Sequence, residues 1–367
     1  MKHLTIVAGT RPNFVKVAAI IKELQKTNKL TFSLVHTGQH YDENMSNSFF
    51  TDLDIPEPTI NLKVGAEKGL SELAMFAKIM ISFEAYLVKN KTDLVVVVGD
   101  VTSTAACAIV AQKLKIKVAH VEAGIRSGDW TMPEEINRLL TDAITNYYFT
   151  TSTYANENLK KSGVDGEVYY VGNTMIDTLV ANRSRFRKPD VWAKCNLEKG
   201  NYIVLTLHRP SNVDSLETLN KLLLEVLNNT RDCLVVFPVH PRTKKTMQDL
   251  GHFDDRLKLI DPLPYLEFMC LVENCKAVIT DSGGITEETT FLNIPCITIR
   301  DSTERPETVT VGSNELIGTD LKNIKKYLDK LFNFKWKASE VPPLWDGNTS
   351  KRLVDIIQTK ILNTYEE

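Results

Sequence analysis

Short aliphatic runs that stop abruptly in a polar turn recur along this chain, and a helical pattern follows most of them. Leu94 to Val98 is the clearest case, because five aliphatic residues lead directly into Gly99-Asp100. Runs of this length with β-branched members mark strands buried on both faces. Leu4 to Ala8, Phe32 to Thr37, Lys117 to Val121 and Tyr147 to Thr150 repeat the pattern. Helical spacing covers Phe14 to Leu24, Gly69 to Val88, Ser103 to Leu114, Pro133 to Ile144 and Ala155 to Lys161. Strands alternating with helices in this way demand right-handed crossovers and a parallel sheet covered on both sides.

A second set begins near Tyr202. Ile203 to Leu207, Cys233 to Val239, Leu257 to Ile260, Ala277 to Thr280 and Cys296 to Ile299 read as strands, with helices at Ser215 to Leu227 and Tyr265 to Glu273. At ~150 residues per domain, 367 residues make two domains. The expected class is therefore α/β, with two such domains facing a cleft. The basic, proline-containing stretch at 183–189 places the hinge within 172–200. We set the domains at 1–172 and 173–350, with a C-terminal helix of about 351–367 packing back on the first.

Composition narrows the function. Lys and Arg number 44 against 46 Asp and Glu, a near balance that argues against a nucleic-acid face. No stretch approaches the ~18 apolar residues of a membrane span. The N-terminus lacks the longer apolar region and cleavage site of a signal peptide. The six cysteines form no CxxC pair and lie at no zinc spacing from histidine, so reduced thiols in a cytoplasmic protein are expected.

Ligands of open parallel sheets bind beyond the C-terminal strand ends. After the first strand come Gly9-Thr10-Arg11-Pro12 and Lys16, a glycine turn entering a helix with cations beside it. Backbone N–H groups there would suit an anion. Neither GxxxxGK[ST] nor GxGxxG is present, which counts against a P-loop hydrolase and an NAD dehydrogenase. Asp100, Glu122, Glu134 and Glu135 follow later strands. Acids gathered in a partly dry site can have their pKa values pushed apart, as acid and base roles need. Glu134 and Glu135 could equally complement a helix dipole behind Pro133. In the second half His208-Arg209, His240-Pro241-Arg242 and Asp281-Ser282-Gly283-Gly284 follow strands, with Glu287 and Glu288 in the next helix. Ser-Gly-Gly at a helix start suits a diphosphate. The spacing of His208, His240 and Asp281 matches no metal motif.

Taken together, Gly9-Thr10-Arg11-Pro12, Thr37-Gly38-Gln39-His40, Gly99-Asp100, His120-Val121-Glu122-Ala123-Gly124, Pro133-Glu134-Glu135-Ile136-Asn137-Arg138, Leu207-His208-Arg209, Asp281-Ser282-Gly283-Gly284 and Thr303-Glu304-Arg305-Pro306-Glu307 resemble the non-hydrolysing UDP-N-acetylglucosamine 2-epimerases. The resemblance runs in order from about residue 4 to 320. It implies a glycosyltransferase-B architecture of two Rossmann-like domains facing a cleft, a homodimer, a UDP-sugar substrate and no metal or other cofactor. It also implies interconversion with UDP-N-acetylmannosamine, through loss of UDP to 2-acetamidoglucal and its re-addition. Asp100, Glu122 and Glu134 then match the family's catalytic acids, and His208 its strand-end histidine near the diphosphate. Arg11, Lys16 and Arg305 match cations of the site. Ser282, Gly283 and Gly284 match the diphosphate cradle, Glu288 the ribose acceptor, and Leu263 and Phe268 the uracil contacts. Gln39, His40 and Arg209 match parts of the site where a second UDP-N-acetylglucosamine acts as allosteric activator in the better-known bacterial subgroup. Tyr41-Asp42-Glu43-Asn44-Met45, followed by Phe49-Phe50, departs from that subgroup and looks like relatives acting on UDP-2,3-diacetamido-2,3-dideoxyglucuronic acid.

Overall fold

The computed structural model describes residues 1–39, 50–66, 69–213, 215–239 and 254–363, together with 243 and 247. They fall into two compact units, Met1–Ala181 with Pro343–Glu367, and Asn182–Pro342.

The described strands of the first unit are β1 (Lys2–Ala8), β2 (Leu30–His36), β3 (Ile60–Asn61), β4 (Leu94–Val98), β5 (Lys117–Val121), β6 (Tyr147–Thr150) and β7 (Glu167–Tyr170). They form a parallel sheet in the order β3-β2-β1-β4-β5-β6-β7. All five side chains of β4 are buried, as its unbroken aliphatic run demands. Ile79 and Phe83 from the helix Glu72–Lys89 and Ala106 and Val110 from Thr102–Lys113 cluster with Val95 and Val97. Burying each large aliphatic side chain stabilises the fold by roughly 1.5–3 kcal/mol. Ser71 starts the first of these helices by accepting the Ala74 N–H at 3.2 Å.

The sequence placed the domain boundary at 172/173. In the structure the first unit runs on to Ala181, because the helix Thr174–Asn182 is anchored there. Thr178 Oγ1 donates to the Val15 carbonyl at 2.7 Å, and the Asp177 carboxylate accepts the Thr349 N–H at 3.0 Å. The second bond also fixes the start of the late helix Thr349–Ile356. Trp345, fully buried, donates its indole N–H to the Thr151 carbonyl.

The second unit holds β8 (Tyr202–Thr206), β9 (Leu234–Pro238), β10 (Leu257–Ile260), β11 (Ala277–Thr280), β12 (Cys296–Thr298) and β13 (Asn314–Leu316). These described strands also pair in parallel, in the order β10-β9-β8-β11-β12-β13. Its core joins Ile203, Leu205, Val235 and Ile279 to Leu219, Leu222, Leu223 and Val226 of the helix Leu216–Asn229. Among the described residues no helix is long and apolar enough to cross a membrane.

Both sheets thus share one winding. Each starts at an inner strand, grows to one side, then returns to the other side of that strand. The reversal falls between β1 and β4 in one unit and between β8 and β11 in the other. Loops leaving neighbouring strands on opposite sides of the sheet open a crevice at such a point.

Candidate functional site

At the first reversal, β1 and β4 end together, since Ile6 pairs with Val96. Asn13, in the helix Arg11–Leu24, ties the two strand ends. Its Oδ1 accepts the N–H groups of Gly9 and Thr10 at 3.1 and 3.2 Å, and its Nδ2 donates to the Val98 carbonyl at 3.0 Å. The Gly9–Thr10 amides, expected from the sequence to face an anion, are therefore taken by Asn13. Gly9 is required by packing, since an added Cβ would lie 2.3 Å from Ser103 Oγ.

Lys16, one turn further on, extends its Nζ to Glu122 Oε2 at 2.6 Å. Glu122 follows β5 with a left-handed φ of 69° and is buried. That conformation is costly for a side chain of this kind and is held by the structure around it. The Glu122 and Ala123 N–H groups both donate to the Phe149 carbonyl. Asp100 is half-buried and accepts a forked bond at one oxygen, from Arg138 Nε and Nη2 at 3.0 and 2.8 Å. Arg138 Nη1 reaches Glu135 Oε2 at 2.5 Å. Glu135 also accepts the Ser127 and Gly128 N–H groups. Burial pushes its carboxyl up, but these donors outweigh burial and hold it below the usual glutamate pKa.

Behind these acids lies a buried group of three. His120 Nδ1 meets Asp142 Oδ1 at 2.7 Å and His120 Nε2 meets the Gly99 carbonyl at 2.8 Å. Asp142 Oδ2 accepts from the Gly124 N–H and from Arg126 Nη1. Burial raises the Asp142 pKa, yet the bonds and charges of His120 and Arg126 leave it below the ordinary aspartate value.

The second reversal is built differently. Asp281, fully buried after β11, accepts the N–H groups of His208 and Arg209 and the side chain of Asn212. Its Oδ1 also meets His208 Nδ1 at 2.8 Å. Burial works against the Asp281 carboxylate, and the bonds from His208, Asn212 and Arg209 outweigh it, so its pKa is lowered. With Nδ1 turned to a carboxylate, Nε2 is left as the outward nitrogen of a ring that is 63% exposed. Ser282, Gly283 and Gly284 then lead into the helix Ile285–Leu292, whose first turn has no side-chain cap. Gly284 is exposed, with nothing within 4 Å of the place a Cβ would take. Uncapped helix N–H groups beside an open glycine are a natural anion seat.

Two acids sit inside that helix. Glu287 is ion-paired with Arg305. Glu288 accepts from Tyr265 Oη at 2.9 Å. Burial pushes the Glu288 pKa up to about 7, the Tyr265 bond opposing and Glu287 adding to the shift. Arg300 holds Glu304 in a two-pronged bond at 2.7 and 2.9 Å, directly against Gly283.

The comparisons with known proteins agree with this geometry. A family model described as UDP-N-acetylglucosamine 2-epimerase matches residues 22–358. The chain belongs to the UDP-N-acetylglucosamine 2-epimerase family. The UDP-N-acetylglucosamine 2-epimerase of Methanocaldococcus jannaschii is 42% identical over 368 residues, covering 96% of this chain and 98% of that protein. A crystal structure of that organism's epimerase in complex with UDP-GlcNAc and UDP superposes with a TM-score of 0.86 at 41% identity, covering 97% of this chain and 99% of the other. A UDP-2,3-diacetamido-2,3-dideoxy-D-glucuronate 2-epimerase of Pseudomonas aeruginosa is 38% identical over 323 residues, covering 87% of this chain and 88% of that one. At 15% identity and a TM-score of 0.55, Acinetobacter baumannii MurG shares the fold over 98% of this chain and all of its own, and that fold is glycosyltransferase-B-like.

Within this epimerase-family chain, the residues expected from the sequence fall into distinct settings. Lys16, Glu122 and Asp100 gather at the first reversal, and Arg11 stands half-buried at the start of its helix. Glu134 is exposed at the first turn of Pro133–Ile144, while its neighbour Glu135 is the buried one. His208, Ser282, Gly283 and Gly284 gather at the second reversal. Arg305 is buried on Glu287. Leu263 lines a groove of about 590 Å³ with Asp261, Glu267 and Lys258, and Phe268 is half-buried in the next helix. Gln39 Oε1 is engaged by the N–H and hydroxyl of Ser103. Arg209 is half-buried, and His40, His240 and Arg242 lie outside the described residues. Sequence reasoning assigned no role to Asn13, Arg138, Asp142 or Tyr265, and it weighed Glu135 only beside Glu134. One signal was present: Glu135, Arg138 and Asp142 recur at helical spacing and so share a face.

Proposed function

We propose that this protein interconverts UDP-N-acetylglucosamine and UDP-N-acetylmannosamine without hydrolysis, by eliminating UDP to 2-acetamidoglucal and adding it back. The observation that carries this reading is the contrast at the two reversals. One gathers carboxylates that cations hold in place, and the other offers an uncapped glycine turn beside an outward histidine. The M. jannaschii relative, which bears the epimerase name, supports it.

The C2 proton of the sugar is not next to a carbonyl. The C1–O bond must therefore break well ahead of proton loss, leaving positive charge on the ring. Asp100, Glu122 and Glu134 supply carboxylates for that charge and for the proton. The Ser282–Gly284 turn takes the diphosphate, with Arg11, Lys16 and Arg305 as cations and His208 Nε2 assisting its departure. Glu288 receives the ribose hydroxyls, while Leu263 and Phe268 face the uracil. The reading extends to a cytoplasmic homodimer that supplies N-acetylmannosamine units for surface polysaccharide, as the family resemblance implies.

Proton NMR of the purified protein with UDP-N-acetylglucosamine in D2O tests this. UDP-N-acetylmannosamine carrying deuterium at C2 is the expected product. Free N-acetylmannosamine plus UDP would instead mean a hydrolysing enzyme. The P. aeruginosa relative favours a second reading, epimerisation of UDP-2,3-diacetamido-2,3-dideoxyglucuronic acid. It predicts an unchanged spectrum with the first substrate and turnover with this one.

A further inference from the structure

His120 is fully buried, yet both of its ring nitrogens meet oxygen atoms. The Gly99 carbonyl can only accept, so Nε2 carries a hydrogen. Nδ1 faces Asp142 Oδ1, while the other oxygen of Asp142 accepts from Gly124 and Arg126. The ring is thus clamped between Asp142 and the Gly99 carbonyl. Gly99 itself is left-handed, with φ 69°, and its N–H donates to the Val121 carbonyl. An added Cβ on Gly99 would stand 3.2 Å from Lys16 Nζ, so this turn lies against the Lys16–Glu122 pair. Asp100 is the next residue, and Glu122 stands two residues beyond His120.

We infer that His120, held by Asp142, is a positioning residue for the reaction, fixing the Gly99–Asp100 turn and the strand end that carries Glu122. The inference rests on the proposed function, which makes Asp100 and Glu122 the reacting acids. A small displacement of such groups costs on the order of 10²-fold in rate.

The test combines His120→Gln, Asp142→Asn and the double variant with a spectrum of the wild type. His120→Gln is expected to lower kcat per folded molecule about 10²-fold, with KM and the Kd for UDP within about twofold. The double variant is expected to be no more than about threefold worse than His120→Gln, because the pair acts as a unit. A purely structural role would lower the melting temperature and leave kcat per folded molecule intact, which overturns the inference. Should the variants fail to fold, nitrogen-15 NMR of the histidine-labelled wild type decides. A proton on Nε2 of His120 is expected, and an unprotonated Nε2 overturns the clamp. A wild type inactive on both UDP-sugars contradicts the proposed function instead, whereas an active wild type matched by His120→Gln contradicts only this inference.

Discussion

The two sheets are wound alike and end unlike. At β1 and β4 the strand ends carry paired charges, Lys16 with Glu122 and Arg138 with Asp100, backed by His120, Asp142 and Arg126. At β8 and β11 they carry an open glycine turn and a histidine oriented by a buried aspartate. The same topology thus supplies two crevices, and the residues at the strand ends decide what each can do. Charges fixed in pairs suit proton chemistry. Helix amides without a side-chain cap suit holding an anion. In the proposed function the first unit supplies the reacting carboxylates and the second supplies the glycine turn for the diphosphate.

The largest effect should come from neutralising the acids. Asp100→Asn and Glu122→Gln are expected to reduce kcat by about 10²–10⁴-fold, the range for acid–base groups. Calorimetric titration should find the Kd for UDP within about twofold of wild type, and a parallel loss of UDP affinity would break the comparison. Asp281→Asn should cost about 10²-fold in turnover, because the outward nitrogen of His208 loses its orientation. The same variant has a pH signature. The folded Asp281 pKa is lowered, so its stability contribution is present above the unfolded aspartate value and lost as pH falls through the folded one. Chemical denaturation should therefore show wild type losing more stability than Asp281→Asn on acidification below about pH 4.

Glu288→Gln should separate stability from binding. The Glu288 pKa is raised to about 7, so the protonated carboxyl favours the fold at low pH, and that advantage disappears as pH rises through 7. Removing the charge should stabilise the protein above pH 7 by on the order of 3 kcal/mol relative to acid conditions, while weakening UDP. Equal stability gains at pH 5 and pH 8 would contradict this. The smallest effect is expected of Gly284→Val. Its φ of −65° suits any residue and nothing crowds the site, so the melting temperature should hardly move while UDP affinity falls about tenfold. An unchanged Kd would remove the glycine turn from the binding account.

Much of this was legible in the sequence because buried strands and their polar ends are local patterns. Leu94 to Val98 running into Gly99-Asp100 placed both a central strand and an acid at its mouth. Partnership was harder to see, as two helices show. Leu216–Asn229 turns Leu219, Leu222, Leu223 and Val226 inward, as its apolar stripe predicts. Pro133–Ile144 is as clearly amphipathic, yet it buries Glu135, Asn137, Arg138, Thr141 and Asp142 and leaves Ile136 and Leu140 44% and 43% exposed. Periodicity reveals a stripe without saying which side faces inward. Here the inward side meets strand ends whose carbonyls, amides and carboxylates need polar partners, so the polar face wins. Asn13 was illegible for a related reason. Nothing local shows that a helix asparagine will bridge its own turn to a strand end 85 residues further along the chain.

The division of labour is tested most directly by following deuterium into C2 of UDP-N-acetylglucosamine with wild type, Asp100→Asn and Glu122→Gln, each at the same measured occupancy by UDP-sugar. Wild type should exchange and epimerise together, while both variants bind normally and exchange at least about 10²-fold more slowly. Exchange at the wild-type rate in both variants, or an epimer formed without deuterium, would contradict the account.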